Sequence, residues 1–185
     1  MIADVKKGAE QKMQKSVEAL KHDLAKVRTG RAHTGLLDHI HVDYYGSSVP
    51  LNNVANVTLA DPRTIGVQPF EKKMIGVVEK AIRDSDLGVN PADDGKVIRC
   101  VFPELTEERR KEYIKVARHK AEEGRVAVRN LRRHAKQELE RMEKDGDAGK
   151  DDVTGAEKRL DGMTKKHTDA IDDLLKHKES ELLEV

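Results

Sequence analysis

The sequence predicts an α+β protein: a long three-helix bundle carrying an inserted small α/β domain of short strands plus one helix, joined by a two-stranded hinge. Two observations predict it. Apolar residues recur at three- and four-residue steps over three separate stretches, and between the first and second the spacing changes to alternation punctuated by Gly and Pro. Composition agrees. Charged residues make up 37% of 185 and aromatics 3%, with no Trp, against an ordinary charged share of about 25%. A core so short of aromatics is built from Leu, Val, Ile, Ala and Met, which suits helix seams.

The first helix is expected over 2–28. Ile2, Val5, Ala9, Met13, Val17, Leu20, Leu24 and Val27 form one stripe, and Gly30 follows, the residue that best tolerates the backbone past a helix end. Then Ile40, Val42 and Tyr44 alternate before Gly46 and Pro50. Ala55, Val57 and Leu59 alternate before Asp61 and Pro62. Ile65 and Val67 end at Pro69. These read as short strands. Residues 71–87 return to helical spacing through Met74, Val77, Val78, Ala81 and Ile82. Gly88, Asn90, Pro91 and Gly95 read as a loop, and Ile98, Cys100 and Phe102 as a last strand.

The second long helix is expected over 105–144, with Thr106 as N-cap and Glu107 and Glu108 at the positive end of its dipole. Its seam is Ile114, Ala117, Ala121, Val128, Leu131, Ala135 and Met142. The third helix runs from about 150 to 183 through Leu160, Met163, Ile171, Leu174 and Leu182. Two starts suit it: Gly149 with Asp151 and Asp152, or Thr154 with Glu157 as a capping box. No single helix buries its stripe alone, so the three pack together. The bundle is then 1–29 and 106–185, and the insert 30–105. The hinge falls at Thr29, Gly30, Arg31, Glu104 and Leu105.

The second helix carries more than a seam. Arg118, Arg125, Arg129, Arg132 and Lys136 recur at steps of 7, 4, 3 and 4, a narrow stripe beside the seam at about 100° per residue. From Lys115 to Lys136 there are eight basic residues and two acidic ones, Glu122 and Glu123, although the whole chain has a net charge of only +1. Charge runs on helices are usually solvated faces with ion pairs within the helix. Here most of the stripe lacks such partners along its own helix. Four of its five members are Arg, which forks onto phosphate where Lys presents a point charge. The stripe therefore points to a polyanion, with RNA fitting at least as well as DNA: a rod with few aromatics reads backbone shape and does not stack bases.

Other signals are few. The chain lacks the phosphate-binding GxxxxGK[ST] and GxGxxG motifs, the GxSxG nucleophile turn and the HExxH zinc motif, so it reads as no enzyme and needs no cofactor. His39 and His41 share a strand face at metal-binding spacing, but no third ligand pattern joins them, so no metal is expected. A single cysteine, Cys100, excludes an internal disulfide. The first 15 residues are charged throughout and have no apolar stretch, and no run approaches the roughly 20 apolar residues of a membrane span. A cytoplasmic protein is expected.

Five stretches together carry a resemblance: KVRTGRA at Lys26–Ala32, DYYG at Asp43–Gly46, SDLGVNP at Ser85–Pro91, LTEERRKEY at Leu105–Tyr113 and RVAVRNLRR at Arg125–Arg133. In this order they resemble the bacterial ribosome recycling factor family over the whole chain. The resemblance implies a monomeric, non-enzymatic translation factor. Its bundle lies along large-subunit rRNA of the post-termination ribosome, and its smaller domain faces elongation factor G, whose GTP hydrolysis drives the subunits apart. By the same resemblance Arg132 is a principal rRNA contact, and Arg28, Arg31, Arg129 and Arg133 match other basic positions near that surface. Gly124, read as lying mid-helix within the basic stripe where the family more often has a better helix former, and Gly155 and Gly162 in the third helix depart from good helix sequence at about 1 kcal/mol each. The rival readings are a helical RNA- or ribosome-associated chaperone and a coiled-coil scaffold without a nucleic-acid role.

Overall fold

The computed structural model describes residues 1–184. The element order is α1 (Ile2–Ala25), β1 (His41–Tyr44), β2 (Ser47–Pro50), β3 (Ala55–Asp61), β4 (Thr64–Pro69), α2 (Ile75–Arg83), β5 (Pro91–Asp93), β6 (Ile98–Val101), α3 (Glu107–Lys144) and α4 (Lys150–Leu183). The chain divides into two compact units. One comprises Met1–Val27 and Lys111–Glu181; the other comprises Arg28–Arg110 and the chain end from Leu182.

The helical unit packs α1, α3 and α4 along their apolar seams. Met13, Leu20 and Leu24 of α1 meet Ala117, Ala121 and Val128 of α3 and Ile171 of α4. Ala9 of α1 meets Ala135 and Leu139 of α3 and Val153, Ala156 and Leu160 of α4. Early α1 thus lies against late α3 and early α4, so α3 runs antiparallel to both neighbours. The alanines at 117, 121, 135 and 156 are small enough to let the helices approach closely. Gly124 belongs to this seam and not to the basic stripe: a Cβ there would lie 3.2 Å from Leu20 Cδ2 and 3.4 Å from Ile171 Cδ1. The seam of α4 is also more polar than its apolar residues alone indicate. Thr164 and His167 are buried in it, Thr164 Oγ1 donating to the Leu160 carbonyl at 2.7 Å and His167 Nδ1 lying 2.8 Å from the Met163 carbonyl oxygen. Thr164 thus satisfies its hydroxyl, and His167 its Nδ1, on the preceding turn of the helix.

The helix ends refine the expected bounds. Helix α1 stops at Ala25, three residues early, because the amides of Lys26 and Val27 bond back three residues, to Asp23 and Leu24. The Thr106 cap is present, its Oγ1 accepting from the Arg109 amide at 3.2 Å. Helix α4 starts at Lys150, with the Val153 amide on the Gly149 carbonyl and Asp151 and Asp152 in the first turn. Thr154 Oγ1 donates to the Lys150 carbonyl inside the helix and caps nothing.

The α/β unit holds two antiparallel sheets. β1 and β2 form a hairpin with His41 opposite Pro50 and Tyr44 opposite Ser47. Its two-residue turn places Tyr45 at φ 51° and Gly46 at φ 85°, both left-handed as a tight hairpin of this twist requires. The second sheet has the order β3-β4-β6-β5. Ile65, Val67, Ile98 and Cys100 point to its buried face, where Val78 and Ile82 of α2 join the core. Burial alone pushes the Cys100 thiol up to about 11, so it behaves as a small apolar residue. Two strands were not expected. β2 has a single aliphatic residue, Val49, and is held by its backbone pairing; β5 is a three-residue edge in the segment read as a loop. The helix expected over 71–87 is a 3₁₀ turn, Lys72–Met74, followed by the nine residues of α2.

Glu71 gathers the exposed side of this unit. It accepts from Tyr44 Oη at 2.5 Å and Tyr45 Oη at 2.9 Å, and those two hydrogen bonds hold its carboxyl below the usual glutamate range. Lys73 Nζ lies 4.5 Å from the Tyr45 ring centroid, a cation–π distance. His39 and His41 do not converge: His39 Nε2 faces Asp86 at 3.2 Å, and His41 Nδ1 lies 3.1 Å from the His39 carbonyl oxygen. Among the described residues no cluster of three or more His, Cys, Asp or Glu is placed to hold a metal, and no helix is long and apolar enough to cross a membrane.

Candidate nucleic-acid interface

Helix α3 has 38 residues, a rod of about 57 Å at 1.5 Å per residue. Its seam turns inward and its basic row runs beside that seam. Arg118 is 63% exposed, Arg129 56%, Arg132 41% and Arg125 only 19%. Lys136 is half-buried and Arg133 is exposed next to the row.

The four arginines of the row are paired, contrary to the expectation drawn from α3 alone, because three of their four carboxylate partners come from α4 and only Glu122 from α3 itself. Arg118 Nε donates to Glu179 Oε1 at 2.5 Å. Arg125 Nε and Nη2 both reach Asp172 Oδ1 at 2.7 Å, and its Nη1 reaches Glu122 at 2.9 Å. Arg129 lies 3.6 Å from Glu122, and Arg132 Nη1 donates to Asp161 Oδ1 at 3.3 Å. Glu122, Asp161, Asp172 and Glu179 thus set four carboxylates against the five cations of the row, Arg118, Arg125, Arg129, Arg132 and Lys136, leaving one net positive charge along it, to which Arg133 beside the row adds a second.

The arginines differ in what pairing leaves free. Arg125 has all three nitrogens engaged. Its burial acts to lower its pKa, and the bonds from Asp172 and Glu122 outweigh that, so the group is held above the ordinary arginine value. It is a clamp between α3 and α4. Arg132 spends one nitrogen on Asp161, while its Nε is buried with no acceptor. Arg133 and Lys136 have no ion-pair partner among the described residues.

Arg28 and Arg31 lie in the α/β unit. Arg28 Nη2 donates to the Pro103 carbonyl at 2.6 Å, with its guanidinium 5.6 Å from the Phe102 ring centroid. Arg31 faces Glu184 at 3.6 Å. The residues expected at the hinge also fall inside that unit, whose boundaries come at Val27/Arg28 and Arg110/Lys111. Gly30 sits between Thr29 and Arg31, which are linked by two hydrogen bonds at the Thr29 hydroxyl. Glu104 pairs with Arg63 at 3.2 Å, and Leu105 is buried.

Reading α3 alone missed the α4 acids. A signal for them exists. Asp161, Asp172 and Glu179 are 11 and 7 residues apart, within about 20° of one another on a helix. In an antiparallel pair they fall opposite 132, 125 and 118 in turn.

Comparison with known proteins bears on the whole chain. The ribosome recycling factor family matches residues 20–183. A ribosome-recycling factor of Nocardioides sp. is 66% identical over the full length of both chains, and one of Chromobacterium violaceum is 60% identical over the same extent. Among solved structures, the solution structure of a ribosome recycling factor matches with a TM-score of 0.79 at 38% identity, covering 100% of this chain and 98% of the other. The T. thermophilus ribosome recycling factor, described with E. coli elongation factor G on the E. coli post-termination complex, matches with a TM-score of 0.67 at 43% identity over the whole of both chains. An α+β chain with these helices, this small sheet domain and this likeness throughout belongs to the ribosome recycling factor family.

Proposed function

We propose that this chain is a translation factor that dissociates the post-termination ribosome, together with elongation factor G and GTP hydrolysis by that partner, so that the subunits are recycled. The observation that carries the reading is the row of guanidinium groups on α3, outside the seam, in a chain of this family. It is a non-enzymatic factor that acts in the cytoplasm, as a monomer, with large-subunit rRNA as its binding surface. Arg129, Arg132 and Arg133 supply the main phosphate contacts, with Arg118 and Lys136 flanking them. Arg125 contributes chiefly by holding α3 to α4. Arg28 and Arg31 add charge from the α/β unit.

A division of labour follows from the two units: the three helices hold the ribosome, and residues 30–105 receive the push of the GTPase. Thr29, Gly30, Arg31, Glu104 and Leu105 connect the two functions. The test is sedimentation of post-termination ribosomes with the full chain, elongation factor G and GTP. Free subunits are the expected product, and intact ribosomes in the presence of all three components would count against the reading. One observation favours the scaffold alternative, the ion-pair row itself, since a face so nearly neutral could serve only to brace two helices. Salt dependence separates the two. An rRNA-binding row loses affinity with a log–log slope of about −0.7 to −0.9 per phosphate contacted, whereas a brace gives no salt-dependent ribosome binding at all.

A further inference from the structure

Asp161, Asp172 and Glu179 line one stripe of α4 and meet the basic row at 3.3, 2.7 and 2.5 Å. Bracing two helices accounts for Asp172, which holds the mostly buried Arg125, but not by itself for Asp161 and Glu179. Asp161 and Arg132 are each more than two-fifths exposed, and in the second pair Arg118 is 63% exposed although Glu179 is only 25% exposed. Exposed pairs of this kind contribute little to stability. They also place negative charge where a polyanion is expected to bind, which works against binding.

We propose that Asp161 and Glu179 are specificity-determining residues. They are internal counter-ions that suppress attachment of the arginine row to RNA in general while leaving it able to bind RNA whose phosphates are placed to engage it. The proposal rests on the reading of the row as an rRNA-binding surface. Attraction of an unplaced polyanion depends on net charge seen from a distance, and at physiological salt the screening length is about 8 Å. Each guanidinium and its carboxylate lie well within that length, so a passing RNA senses the near-neutral row and not five cations. A phosphate docked at the row senses individual donors instead. Arg132 spends only Nη1 on Asp161, which leaves Nη2 as its donor for a phosphate, since its Nε is buried. Arg133 and Lys136 have no ion-pair partner among the described residues, so directional contacts survive where long-range attraction does not. Selectivity arises because the acids tax every RNA, and only a matching one recovers the loss through fork-shaped contacts. Asp172 stands apart, since its carboxylate is committed to the clamp on Arg125.

The experiment uses the full chain and the variants Asp161→Asn and Asp161→Asn/Glu179→Gln. Both changes remove the charge and keep an acceptor oxygen. The probes are polyuridylate, as unplaced RNA, and 70S ribosomes, each titrated across a salt series. Polyuridylate affinity is expected to rise about threefold per carboxylate neutralised at low salt, the effect of one unit charge at about 7 Å in water, and about 1.5-fold at physiological salt, where the screening length is about 8 Å. Its salt slope should steepen by about 0.7 per freed arginine. Ribosome affinity should rise by a smaller factor, so that the ratio of the two falls. Unchanged or weaker binding to polyuridylate, or an equal rise for both probes, overturns the proposal. Melting curves on the same preparations identify any loss of fold, and if the double variant melts early the single variant decides. Arg129→Ala and Arg132→Ala are titrated alongside. If neither weakens ribosome binding, the rRNA reading of the row fails. If they weaken it while the acid variants change nothing, only the specificity role fails.

Discussion

The two faces of α3 obey different rules. On the seam, Ala117, Ala121, Val128 and Leu139 are wholly buried, and every residue is chosen by volume. On the basic row a few residues away, every side chain is chosen by charge, and a second helix sets the partners of Arg118, Arg125 and Arg132. The seam makes the fold stable. The row contributes little to stability and presents chemistry to the outside, and only Arg125 takes part in both. A single long helix can therefore serve two purposes without conflict, because 3.6 residues per turn keep the two stripes apart along its length.

The sharpest way to break this comparison is a cavity in the seam. Leu139→Ala should cost about 2–5 kcal/mol of stability and leave ribosome binding of the folded fraction unchanged. Denaturant melts read the first and pelleting below the transition reads the second. A stable variant that no longer binds would show that the seam is not separate from the surface.

Next in size is Arg132→Ala. Losing a charge-assisted contact to phosphate should cost about 1.5–3 kcal/mol of binding, roughly tenfold or more, with a change in stability within about 0.5 kcal/mol. Arg125→Ala should show the opposite balance, about 1–2 kcal/mol of stability from two ion pairs on a mostly buried side chain and a smaller loss of binding. Measuring both residues by melting and by pelleting gives a crossed result if clamp and contact are distinct roles. If both variants fall on one line, the distinction between them is void.

The smallest effects come from three glycines. A Cβ at Gly155 or Gly162 meets nothing within 4 Å, so each change to Ala should stabilise by about 0.5–1 kcal/mol through helix propensity. Gly124→Ala carries the same propensity gain, but its new methyl stands 3.2 Å from Leu20 Cδ2 and 3.4 Å from Ile171 Cδ1, closer than comfortable packing allows. It should gain less than the other two or lose stability. Equal gains at all three, read by thermal melts, would mean that the bundle closes on Gly124 less tightly than these distances indicate.

The helical seams were legible from spacing because burial on one side of a helix imposes a period that local sequence must keep. That reading faltered where a buried residue is polar, as at Thr164 and His167, whose bonds to the preceding turn replace apolar character. It faltered again in the small sheet. β2 and β5 have too few apolar residues to alternate visibly, and they exist because β1 and β6 offer paired backbones.

By itself the sequence determined the fold class, the three long helices, the Thr106 cap and the presence of an arginine row on α3. All of these depend on residues within a few turns of one another. The tertiary structure alone decided what those arginines face. Ion pairs between residues 29, 47 and 61 positions apart depend on the register of α4 against α3. That register comes from how the apolar seams interlock, and the charged residues follow it. Arg125 and Arg132 are the same residue on the same stripe. Only the placement of Asp172 and Asp161 across the helix pair makes one a buried clamp and leaves the other with donors to spare.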